Sequence, residues 1–129
     1  MSWVHETLAD FGRQLGLPSL GFGTHGVAQL QMQSGALLAV EPVRRGEVDE
    51  VLVYLGKPVP FADSGLFRKA LAKAHHGEVG ALPVQVALRG ESPDTLMLML
   101  VRLPERDFTL QSLGHAVDYL GRWYESLGR

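Results

Sequence analysis

The sequence predicts an α+β domain with the element order α-β-β-β-α-β-β-α, a twisted, mostly antiparallel five-stranded sheet carrying three helices. Two patterns predict it. Apolar residues recur at helical spacing near both ends and once in the middle, and between them lie short runs of alternating or β-branched residues bounded by glycine and proline. At 129 residues the chain is one domain, 1–129, large enough to bury a core without metal or disulfide staples.

The opening helix is predicted by Val4, Leu8, Phe11 and Leu15, which share a face. Gly16 is placed for a left-handed C-cap, and Pro18 blocks continuation. Ala28 to Gln33 alternates strictly, with Ala28, Leu30 and Met32 on one face and three glutamines on the other, as in a half-buried strand. Ser34-Gly35 then turns into Ala36 to Val40, and Pro42 is expected to end that second strand or to place it on an edge. Arg44 to Glu47 makes a turn, Glu50 to Leu55 a third strand, and Gly56, Pro58 and Pro60 break the chain. Ser64, or Asp63, caps a second helix with the stripe Leu66, Phe67, Ala70, Leu71 and Ala74. Pro83 to Arg89 alternates again. Thr95 to Leu103 forms the last strand, stopped by Pro104. The closing helix runs from Thr109 to Leu127, with Leu113, Val117, Leu120, Tyr124 and Leu127 on one face and Thr109 or Asp107 as cap.

The last strand does not alternate. Leu96, Leu98 and Leu100 lie on one face and Met97, Met99 and Val101 on the other, whereas an antiparallel strand normally meets water on one side. Both faces therefore need cover: one from the chain's own helices, the other from a second subunit or a bound partner. Methionine is unbranched and flexible, which places the adaptable, partner-facing side on Met97 and Met99.

Composition narrows the function. Apolar residues make up 46% and charged residues 20% of the chain, the formal net charge is -2, and there is no cysteine. Thiolate catalysis, disulfides and cysteine-held zinc are excluded, which fits a reducing cytoplasm. The N-terminal residues lack the pattern of a signal peptide. The most apolar stretch, Leu96 to Val101, is too short to cross a bilayer. Arg44-Arg45 is the only Arg-Arg pair and no aromatic-rich basic stripe exists, so nucleic acid is not an expected partner.

The search for chemistry finds little. Gly21 to Gly26 matches G-x-G-x-x-G, but a helix and a proline precede it and a strand pattern follows, the reverse of a dinucleotide site. Asp49, Glu50, Glu91 and Asp94 sit beside turns, where carboxylates are ordinarily solvated. His75-His76 point in different directions, and His5, His25 and His115 are isolated, so no metal site or cofactor is expected. No nucleophile elbow surrounds Ser34 or Ser64. Two rivals to a binding protein are an α+β hydrolase or isomerase with Tyr54 and Asp49 in a cavity, and a ligand-sensing dimer with a closed pocket at its interface.

Several segments, in order, resemble the class I type III secretion chaperones, the family of the Tir chaperone. They are Leu8 to Leu20, Val51 to Gly56, Leu66 to His75, Leu100 to Pro104 and the helix from Leu110 to Trp123. The chain departs from the family in its weaker acidity and in Ala74-His75, where an asparagine is frequent. The resemblance implies a cytoplasmic homodimer without catalytic residues or cofactor. It also implies that a secreted effector's N-terminal segment wraps around the dimer in extended form, filling apolar pockets and adding strand pairing. Leu66, Phe67, Leu71, Met97 and Met99 are then the candidate dimer interface. Trp3, Leu8, Leu30, Met32 and Val40 are the candidates for effector contact.

Overall fold

The computed structural model describes residues 2–16, 26–31, 36–58, 64–76, 82–89 and 95–127. Helix α1 spans Ser2–Gln14. Three strands follow, β1 Ala28–Gln31, β2 Leu37–Arg45 and β3 Val48–Pro58. After helix α2, Ser64–His76, come β4 Gln85–Arg89 and β5 Leu96–Pro104. A 3-10 turn, Glu105–Asp107, leads into helix α3, Leu110–Ser126. The sheet order is β1-β2-β3-β5-β4 and every neighbouring pair is antiparallel. The expected α+β order is the observed one.

The helices gather on one face of the sheet. In antiparallel register, Val51, Val53 and Leu55 of β3 stand opposite Leu103, Val101 and Met99 of β5, and opposite residues share a face. These six, with Leu38 and Val40 of β2 and Ala28 of β1, are buried in a core completed by Val4, Leu8 and Phe11 of α1 and Leu113, Ala116, Leu120 and Trp123 of α3. Lys57, on the same face of β3, places its ammonium 4.8 Å from the centre of the Tyr124 ring of α3. Helix α2 joins the same layer. Its Ala70 is buried, Leu66, Phe67 and Ala74 pack against the core, and Lys73 donates to Ser126 Oγ of α3 at 2.5 Å.

Local sequence explains the boundaries. Gly16 has φ 77° and ends α1 in the left-handed conformation. Leu15 therefore lies past the helix and is exposed rather than part of its apolar stripe. Gly46, φ 65°, supplies the positive φ of the two-residue turn between β2 and β3. At the start of α3, Thr109 is the cap and not Asp107: its hydroxyl accepts from Ser112 N at 3.0 Å, while Ser112 Oγ accepts from Thr109 N at 2.8 Å.

Other expectations change. Pro42 does not end β2, which continues to Arg45; β1 pairs only as far as Val40, so at Pro42 β2 is locally an edge. Gly56 is inside β3, because a side chain there would meet Leu98 Cδ2 at 3.1 Å from its Cβ and Leu37 close by. Trp123, expected beside the stripe of α3, is buried within it. The Ser34-Gly35 turn, Asp63, Glu91, Asp94 and Gly21 to His25 lie outside the described residues.

The central correction concerns β5. Met97 and Met99 are 0% exposed, covered by this chain's own helices, whereas Leu96, Leu98 and Leu100 are half-buried. The two-sided strand is present with its faces exchanged. Met97 and Met99 are core residues and offer no surface to a second subunit.

Met99→Ala is expected to cost about 2–4 kcal/mol in urea unfolding, because it removes a fully buried side chain. Leu15→Ala, at an exposed position past the end of α1, should stay within about 0.5 kcal/mol. Thr109→Ala should cost about 1 kcal/mol through the lost cap.

Candidate functional site

Two surfaces are apolar where a solitary chain would be polar. The first is the face of the sheet that carries no described helix. Leu96, Leu98 and Leu100 of β5 form a half-exposed row, with Leu52 of β3 and Leu37 and Val43 of β2 on the same face. Polar groups frame this row. Arg102 donates from Nε to Gln85 Oε1 of β4 at 3.0 Å and sits 3.6 Å from Glu50 Oε1 of β3. Tyr54, buried among its neighbours, donates from its hydroxyl to Glu41 Oε1 at 3.4 Å. Burial pushes the Tyr54 pKa up; the Glu41 carboxylate raises it further, against an opposing pull from Arg89.

The second surface is the β1 end of the sheet. Beside this edge strand runs a narrow crease lined by Leu8 and Phe11 of α1, Ala28, Gln29 and Leu30 of β1, and Leu38 and Val40 of β2. Its free volume is about 10 Å³, roughly one water. Three residues expected to contact an effector, Leu8, Leu30 and Val40, meet here. Leu8 and Val40 are buried and form its floor; Leu30 is half-buried and accessible. Main-chain groups on the outer side of β1 have no strand partner among the described residues, so this edge is able to pair with an extended segment.

The remaining candidates separate. Trp3 is exposed, at a different cleft near the end of β5. Met32 lies outside the described residues. Leu71 is exposed on α2, and Leu82 and Leu88, before and within β4, are also exposed; α2 and β4 are in contact. Leu66 and Phe67 are partly buried against the core and contribute less surface than Leu71.

The leucine row is the feature that sequence reasoning assigned to the wrong face. A signal for it existed: Arg102 shares parity with Leu96, Leu98 and Leu100, while Val101 and Leu103 share it with the methionines. A charged residue marks the side of a strand that faces away from the core.

The arrangement offers no enzyme-like site at the proposed pair. Tyr54 and Asp49 are five residues apart in one strand and stand on opposite faces of the sheet, Tyr54 opposite Leu100 and Ala39, Asp49 opposite Arg44. The cavity imagined between them cannot form. Among the described residues no three His, Asp or Glu side chains converge to hold a metal ion, and no described helix is long and apolar enough to cross a membrane.

Residues 3–126 match the family described as Type III secretory system chaperone SycN. No curated protein matches the sequence. Three solved structures share the fold at low identity. The Yersinia pestis type III secretion chaperone SycH, in complex with a stable fragment of YscM2, superposes with a TM-score of 0.67 at 18% identity, over 96% of this chain and 98% of that one. The HopA1-SchA chaperone-effector complex gives 0.63 and 18%, over 95% and 90%. The ExsC-ExsE complex gives 0.69 and 20%, over 98% and 94%.

The Tyr54 environment makes a pH prediction. Its folded pKa lies above the ordinary value of about 10, so the neutral phenol's contribution is intact below that value and is lost as pH rises through the folded one. Urea midpoints should fall in strong alkali, and Tyr54→Phe should flatten the decline. An equally steep decline in the variant would place the loss elsewhere.

Proposed function

The chain belongs to the SycN family of type III secretion chaperones, and from that premise we propose that it holds the N-terminal segment of a type III secreted protein, an effector or a regulator of secretion, extended and ready for export. It does so as a cytoplasmic homodimer, by packing and main-chain pairing, with no catalytic step and no cofactor. The observation that carries this reading is the division of labour in the sheet. Its helices cover one face, and apolar surface remains on the other face and at both edges.

The two ends of the sheet suit two partners. At the β4 end, Leu71 of α2 and Leu82 and Leu88 near β4 are exposed; Leu88, opposite Met97, is on the helix side of the sheet, and the leucine row of β5 is on the other side next to the same edge. This end suits a second copy, with Leu66 and Phe67 of α2 supporting the contact. At the β1 end, a free strand edge runs beside the Leu8, Leu30 and Val40 crease. This end suits an extended client, whose backbone pairs with β1 and whose apolar side chains press into the crease beside Leu30. The crease must widen to receive them, a cost the strand pairing offsets. Many weak contacts along a long path are what ordering an unfolded segment requires. The three similar structures, two of them a chaperone with a bound protein and the third a complex of two proteins, are consistent with that use.

Light scattering at micromolar concentration should return twice the 14.1 kDa chain mass, and Leu71→Asp should return one. A monomeric wild type rejects the homodimer, and an intact Leu71→Asp dimer removes α2 from the interface. Co-purification from a secreting cell should recover the N-terminal region of an exported protein, protected from protease by the complex. Leu30→Asp should weaken that capture about tenfold or more without changing the dimer mass. Capture of no exported protein by the wild type counts against the chaperone role.

A further inference from the structure

We propose that the cleft at the Trp3 end of the molecule receives an arginine or lysine side chain of the bound polypeptide, and so reads charge where the crease at β1 reads apolar shape. This rests on the chaperone reading and adds a second kind of recognition to it. The cleft has a volume of about 330 Å³ and is open to solvent. Trp3 at the start of α1, Glu47, Val48 and Asp49 at the β2–β3 turn, and Glu105 and Arg106 after β5 line it. Neither the core nor the two apolar surfaces uses this cleft.

Three observations point to a cation. Glu105 is only 8% exposed and lines the cleft, yet its carboxylate has no hydrogen-bond or ion-pair partner among the described residues. A carboxylate on a mostly buried residue, without a protein partner, gains from an incoming positive group, which would add charge-assisted hydrogen bonds. Glu47 and Asp49 add two more carboxylates against one guanidinium, Arg106, which forms no ion pair with any of the three. Trp3 is 44% exposed at the same cleft, and indole is the side chain on which a cation stacks best.

The spread of the acids selects the kind of cation. They do not converge as metal ligands do. A guanidinium or ammonium on a long apolar stem fits better. Its head reaches Glu105, and its methylenes lie along Trp3 and the exposed Val48.

The test uses the full-length chain and the capped tripeptide acetyl-Leu-Arg-Leu-amide. The two indole N–H resonances, of Trp3 and buried Trp123, are told apart with Trp3→Phe. The expected result is a saturable shift of the Trp3 resonance with the Trp123 resonance unmoved. Binding should be about fivefold or more weaker for the citrulline peptide, which keeps the shape and loses the charge, and for Glu105→Gln. Trp3→Ala, at an exposed position that leaves the core intact, should weaken binding similarly when read at the Arg106 amide. No saturable shift, or equal binding of the arginine and citrulline peptides, overturns the site. Client capture separates the two levels: equal capture by the wild type and Glu105→Gln refutes the cation pocket and leaves the chaperone reading standing. If the wild type captures no client, the chaperone reading fails and the peptide titration still decides the pocket.

Discussion

The three described helices press on the same face of one antiparallel sheet, and the rest of the molecule follows from that asymmetry. The covered face is built as a core must be. Val51, Val53, Met97 and Met99 are sealed beneath Leu8, Leu113 and Leu120, close-packed and costly to alter. The opposite face of the same strands has leucines where an isolated protein would place threonine, glutamate or lysine. Finishing the burial of three half-exposed leucines would contribute on the order of a few kcal/mol, enough to bias association without committing the chain to aggregation. A polar frame of Glu50, Arg102, Gln85, Tyr54 and Glu41 borders the row.

Edges complete the picture. A five-stranded open sheet has two, and proteins usually blunt them. Here the crease behind β1 rewards a strand that carries apolar side chains at the correct spacing. Selectivity of this kind needs no reactive group. The chemistry suits a protein whose task is to keep another chain unfolded: broad, shallow contact along a strand edge, and an acidic cleft at one end where charge sharpens the choice.

The sequence made the architecture legible because each element carried its own punctuation. Gly16 closes α1, Gly46 turns β2 into β3, and Thr109 with Ser112 opens α3; all are local, and local chemistry is what a single sequence displays. The boundaries that failed were set by neighbours. Gly56 reads as a breaker, yet it lies within β3 because Leu98 occupies the space above it. Pro42 reads as a stop or an edge, and neighbours decide for the edge: β1 ends its pairing at Val40 while β2 runs on. The site was legible in part for the same reason. Leu8, Leu30 and Val40 meet in one crease through strand register, which the alternation pattern encodes. Which face of β5 the helices take is decided by tertiary packing, and methionine's flexibility served the core here and not a partner. The cleft at Trp3 was invisible because Trp3, the Glu47 to Asp49 turn and Glu105 are far apart in sequence and are brought together by a helix start, a hairpin and a strand end.

The central claim is that another polypeptide shields the leucine face of β5. The most direct measurement replaces Leu98 with a photo-crosslinking amino acid and identifies what it captures when the protein is irradiated in living cells. The account predicts an intermolecular adduct with a second copy of the chain. Crosslinks confined to the same molecule, or reaction with solvent alone, would contradict it.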